Sequence, residues 1–142
     1  MPHTFCRRYR LGAGPGRSMR PLRFLFLTTF YPPYSFGGDG ISVRRMARAL
    51  AARGHEVVVV PDRDAYLSLA GKAPDEAGDK SGGVRVIGLK SRLGLLSNLL
   101  VHQTGHAVVH GRTLAALVSD FVPDVIWHNN ASLMGAPGIL DL

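Results

Sequence analysis

Residues 23–61, RFLFLTTFYPPYSFGGDGISVRRMARALAARGHEVVVVP, read as a strand, a glycine-rich loop, a helix and a second strand. Residues 24–29 are apolar or β-prone and carry no charge, which suits a strand buried on both faces of a parallel sheet. Tyr31, Pro32, Pro33 and Tyr34 end that strand, because proline has no N–H to give to a ladder. Gly37, Gly38 and Gly40 then surround Asp39. Missing Cβ atoms let backbone N–H groups come close to a bulky ligand, so the loop is a candidate anion site. Asp39 is equally a candidate N-cap for the following helix.

Val43, Met46, Ala47, Leu50 and Ala51 recur at helical spacing, with Arg44, Arg45, Arg48 and Arg53 on the remaining surface. One helix face therefore packs on the sheet. Gly54 stands where a left-handed C-cap belongs, and the β-branched residues 57–60 predict a second buried strand. A right-handed crossover makes the two strands parallel, which puts the glycine loop at the carboxyl edge, where open α/β sheets bind ligands. As a phosphate loop the signal is weak: there is neither a G-x-G-x-x-G nor a P-loop lysine.

Tyr31-Pro32-Pro33, Gly37-Gly38, Leu50 and Arg53-Gly54-His55-Glu56-Val57, in this order and spacing, closely resemble the amino-terminal domain of GT-B retaining glycosyltransferases of the family 4 type. A later block, Pro123-Asp124-Val125-Ile126-Trp127-His128-Asn129-Asn130, is similar to that family's PDV-I-H-x-H-N strand and loop. The resemblance covers roughly residues 22–142. It implies a Rossmann-like, three-layer α/β/α fold with a parallel sheet in the order 3-2-1-4, the amino-terminal half of a GT-B fold.

A chain of 142 residues can bury one adequate core, and one cysteine, Cys6, excludes an internal disulfide. No apolar run approaches the ~20 residues of a spanning helix. The net charge of +7 sits at the start: six of the 17 Lys/Arg fall within residues 7–23, and the other eleven nearly balance ten Asp/Glu. That distribution argues against a nucleic-acid-binding face. Residues 1–18, rich in Gly, Pro and Arg, predict a disordered basic arm, with Met19 as an alternative start and residues 19–142 as a truncated domain. The expected location is cytoplasmic, or peripheral at the inner membrane face.

Between the second strand and Gly83 the chain reads as a long charged loop with a short helix over residues 66–70, followed by a third strand over 84–89. Residues 93–101 carry five leucines flanked by Lys90 and Arg92, which reads either as core packing or as a membrane-surface contact. A second helix is expected over 105–121. His102, His106 and His110 share a spacing of four, but no carboxylate or cysteine lies nearby in sequence, so no metal site is assigned.

Residues 125–127 predict a fourth strand, which delivers His128, Asn129 and Asn130 to the same edge as Gly37, Gly38, Asp39 and Gly40. Aligned without a gap, Trp127 falls on the family's first histidine, Asn129 on its second and Asn130 on its asparagine. Either His128 swings into the site, or Asn129 supplies an amide that orients a substrate without acting as a base. The resemblance implies sugar transfer from a nucleotide-diphosphate sugar to the hydroxyl of a sugar or lipid-linked acceptor, with retention. His128 and Asn129 would act at the reacting centre, with Gly37, Gly38, Asp39, Gly40 and Asn130 binding substrate. Neither a tightly bound cofactor nor a metal is expected. The family's donor half carries an E-x7-E motif that Glu56 and Glu76 do not form, so inactivity without a donor-binding domain or separate subunit is expected. The alternative is a non-catalytic acceptor-binding or anchoring subunit of a split enzyme.

Overall fold

The computed structural model describes residues 20–74, 82–91, 110–130 and 134. Its centre is β1 (Arg23–Thr28), which pairs in parallel with β2 (Glu56–Pro61) on one side and β4 (Val125–Asn129) on the other. The short β3 (Val84–Val86) extends the sheet beyond β2, giving the expected parallel order β3-β2-β1-β4. Among the described residues three helices join these strands: α1 (Gly38–Ala51), α2 (Arg63–Ala70) and α3 (Gly111–Phe121).

Strand alternation divides the apolar run of β1 between two cores. Phe24 and Phe26, with Val57 and Val59, face Val43, Ala47 and Leu50 of α1. Leu25 and Leu27, with Val58 and Val60, meet Leu114 and Phe121 of α3 together with Leu89 and Met134. Helices thus cover both faces, and each fully buried side chain contributes roughly 1.5–3 kcal/mol of transfer free energy. Met46 lies at the rim of the α1 stripe and is 38% exposed, so the packed face is narrower than its periodicity suggests. Gly54 does take a left-handed turn, with φ 85°, on the way into β2.

Some boundaries differ from the sequence reading, each for a hydrogen-bonding reason. α2 starts at Arg63 because the Asp62 side chain caps it, Oδ1 accepting from the N–H groups of Asp64 (2.9 Å) and Ala65 (3.1 Å). Regular β3 ends at Val86, yet the chain stays beside β2: Ile87 N–H donates to Val59 and Leu89 N–H to Pro61. β4 runs on through His128 and Asn129, which pair with Leu27 and Thr28 instead of lying in a loop. The basic arm and Met19, the leucine-rich segment, His102 and His106 lie outside the described residues. No helix among the described residues is long and apolar enough to cross a membrane.

At the amino edge of the sheet, Asp124 ties the start of β4 to that of β1. Its Oδ2 accepts from Arg23 N–H at 2.8 Å and its Oδ1 from the Arg20 guanidinium at 2.7 Å. The Arg23 guanidinium also reaches Glu56 at 3.1 Å and lies over the Phe121 ring. The Arg23 N–H, aided by the Arg20 and Arg23 charges, holds the Asp124 carboxyl below its ordinary value of 3.8. A depressed carboxyl stabilises the fold above its unfolded pKa and loses that contribution as pH falls through the folded value. Asp124→Asn is therefore expected to remove part of the loss of urea resistance as pH falls below about 4, measured by equilibrium unfolding.

Candidate functional site

The parallel pairing brings the ends of β1, β2 and β4 together. Thr29 N–H donates to the Asn130 carbonyl at 3.1 Å, the Thr29 hydroxyl reaches the same oxygen, and Asp62 N–H donates to the Thr29 carbonyl at 3.2 Å. Thr28 and Thr29 are buried beneath this junction. From it the chain passes through the Tyr31–Tyr34 turn, closed by Tyr31 N–H donating to Tyr34, and climbs to the start of α1. Burial raises the pKa of the Tyr31 phenol, a change opposed by the nearby positive charges of Arg48 and Arg44.

Gly37, not Asp39, is the N-cap of α1, and no side chain caps that end. Its φ of 156° and ψ of −139° form a conformation that L side chains rarely adopt, which accounts for a glycine there. Gly40 serves a different purpose. A Cβ at that position would run into the Ser35 hydroxyl and stand 3.2 Å from the Phe30 carbonyl, so its absence lets the helix lean on the loop. Gly37 and Gly38 are exposed, with open space where a Cβ would project.

Asp39 lies in the first turn of α1, and its carboxylate is gripped from the end of β4. The Asn129 side-chain amide donates to Oδ1 and that of Asn130 to Oδ2, both at 2.9 Å. Both carboxylate oxygens thus have a neutral donor, and the exposed group still has lone pairs to offer. A negative charge here also complements the helix dipole. It thereby occupies the feature that would have drawn an anion to this helix end. The arrangement suits hydroxyl groups better than phosphate.

The register sets His128 and Asn129 on opposite faces of the sheet. Asn129 pairs with Thr28 and projects toward α1, whereas His128 pairs with Leu27 and projects to the opposite face of the pleat. Gly37, Gly38, Asp39, Gly40, Asn129 and Asn130 therefore come together, and His128 stands apart, exposed at the outer strand. Trp127, on the face Asn129 shares, stacks on Phe26 with ring centres 6.0 Å apart.

A group of aromatic rings beside the glycine loop escaped the sequence reading. Phe36 stacks on Tyr66 of α2 at 4.7 Å, and Tyr34 and Phe30 meet these rings edge-on. The Arg63 guanidinium lies over Tyr34. Phe36 remains 56% exposed, an unusual position for phenylalanine. The signal was present in Tyr34-Ser35-Phe36, but its partner Tyr66 belongs to a segment whose helix start the sequence reading placed too late. The carboxyl edge thus offers a hydrogen-bonding carboxylate and amides, with aromatic rings on the neighbouring loop, residue types that small-molecule sites combine.

Residues 37–141 match the family model described as a glycosyl transferase 4-like domain. No curated protein and no solved structure matches the chain. Asn129→Asp would set a second carboxylate against Asp39, and about 1 kcal/mol of stability should be lost in urea unfolding. Adding Asp39→Asn to that variant should recover most of it, as a double-mutant cycle would record.

Proposed function

This chain belongs to the glycosyl transferase 4-like domain family, and we propose that it forms the acceptor-binding side of a retaining glycosyltransferase. The observation that carries this reading is the Asp39 carboxylate, held by Asn129 and Asn130 beside the exposed ring of Phe36 at the carboxyl edge of the sheet. A sugar presents the complementary surface: hydroxyls for the carboxylate and amides, and an apolar C–H face for the ring.

In the proposed reaction the bond from the donor's anomeric carbon to its diphosphate breaks as the bond to the acceptor oxygen forms on the same face. The acceptor proton passes to the departing phosphate oxygen. This chain's residues hold the acceptor hydroxyl in line, a contribution of proximity and orientation. Asn129, at the place of the family's second histidine, orients through hydrogen bonds, since an amide cannot take up a proton. His128 lies on the other face of the sheet and has no assigned step. Contacts to the nucleotide-diphosphate sugar belong to a donor-binding half, in the same polypeptide or a separate subunit. A lipid-linked saccharide is the acceptor class that also fits a peripheral membrane location.

The test is ligand-observed and protein-observed NMR with saccharide acceptors and with nucleotide-diphosphate sugars. Saccharides should perturb the Asn129 and Asn130 side-chain amides, and Asp39→Asn should weaken binding about tenfold, the worth of one charge-assisted hydrogen bond. Nucleotide binding at these residues with no saccharide effect would overturn the acceptor assignment.

A further inference from the structure

On the other side of the β2 end lies a group of residues that the sugar-transfer reading does not use. Asp62, Asp64 and His110 are buried, at 0%, 4% and 3% exposure, and one potential ligand atom from each lies within 4.8 Å of the others. Asp62 is the N-cap of α2 and His110 the N-cap of α3, so the group joins two helix starts to the end of β2. Each carboxylate is already fixed through one oxygen. Asp62 Oδ1 accepts the two N–H groups of the α2 cap, and Asp64 Oδ2 accepts from Ser91 N–H at 2.6 Å. Asp62 Oδ2 and His110 Nε2 are buried and have no hydrogen-bond partner among the described residues, and the neighbouring Ser91 hydroxyl is in the same condition.

An orphaned carboxylate oxygen and an orphaned imidazole nitrogen in the same buried place are costly separately, and one ligand removes both costs. We infer that Asp62, Asp64 and His110 bind a first-row divalent cation. Two carboxylates and a neutral imidazole carry a combined charge that a divalent ion cancels. The mixed oxygen and nitrogen donors favour zinc, cobalt or manganese over magnesium or calcium. Ligand bonds of about 2.0–2.2 Å to a tetrahedral ion set its donors about 3.3–3.6 Å apart, so a group whose atoms lie within 4.8 Å of one another closes by at most about 1.5 Å on binding. The backbone N–H groups on the other carboxylate oxygens act as the outer shell that orients such ligands. The Ser91 hydroxyl or a water completes the coordination. The ion would be structural, pinning α2 and α3 to the sheet, and sugar transfer has no step through it.

The helical spacing in the sequence groups His110 with His102 and His106, which lie outside the described residues, and the structure sets His110 beside Asp62 and Asp64. These two partners come from a segment 46–48 residues earlier, at the end of β2 and the start of α2.

The chain, stripped with a chelator, is titrated with Co2+ and followed by its visible d–d absorption, with thermal unfolding in Zn2+ against chelator as a parallel reading. One equivalent of cobalt should develop the band of a four- or five-coordinate ion, and zinc should raise the unfolding temperature. Asp64→Asn and His110→Gln should each weaken cobalt binding at least about tenfold. Paramagnetic broadening of the unmutated chain's NMR signals needs no variant, and it should centre on Asp62, Asp64 and His110. No cobalt band with identical melting in zinc and chelator, or broadening centred on other residues such as His102 and His106, would overturn the assignment. The three groups would then form only a buried carboxylate–imidazole contact.

Discussion

The parallel pairing of β1 with β2 and β4 is the constraint on which the rest depends. Because both neighbours run with β1, all three strands end at the same edge, and everything that follows them is delivered there: the glycine loop after β1, the Asp62 cap after β2, and Asn129 and Asn130 from β4. The same pairing requires each connection to cross over the sheet. The crossing helices cover the two faces, and the apolar strands need that cover. An antiparallel β4 would have placed Asn129 at the amino edge, far from Asp39.

Backbone hydrogen bonds, more than side-chain packing, fix the geometry of that edge. The Thr29, Asn130 and Asp62 main chains are joined in a short chain of N–H and C=O contacts. Asn130 adopts a left-handed conformation, with φ 46°, which asparagine tolerates better than most residues. Its amide is thereby released from the pleat and can share Asp39 with Asn129. Loops after strands in this position can vary in sequence while the strand ends beneath them stay fixed, which is how one scaffold serves different ligands.

The two polar groups at this edge differ in their exposure to water, and that difference sets their chemistry. The Asp39 carboxylate is exposed, satisfied by two neutral donors and free to accept more, so it is suited to a ligand that arrives and leaves. Asp62 is fully buried, and desolvation raises its pKa, opposed in part by the N–H of Ala65 and the neighbouring His110. A charge in that place requires a permanent counterpart. Residues of the same type thus meet opposite surroundings at the two places, one hydrated and the other dry.

The sequence by itself determined the place of the glycine loop through local periodicity, and the family and the parallel four-stranded order through the resemblance that motifs in short stretches carry. The uncharged runs of β1 and β2 and the arginine-faced α1 could be read directly from hydrophobic spacing. Only the tertiary structure decided which of His128 and Asn129 reaches Asp39: extending β4 by two residues changes which face of the pleat each occupies. It alone also brought Phe36 onto Tyr66 and His110 beside Asp62 and Asp64. Those contacts join residues far apart in the chain, and their existence depends on how the crossovers pack, for which no single stretch of sequence carries a signal.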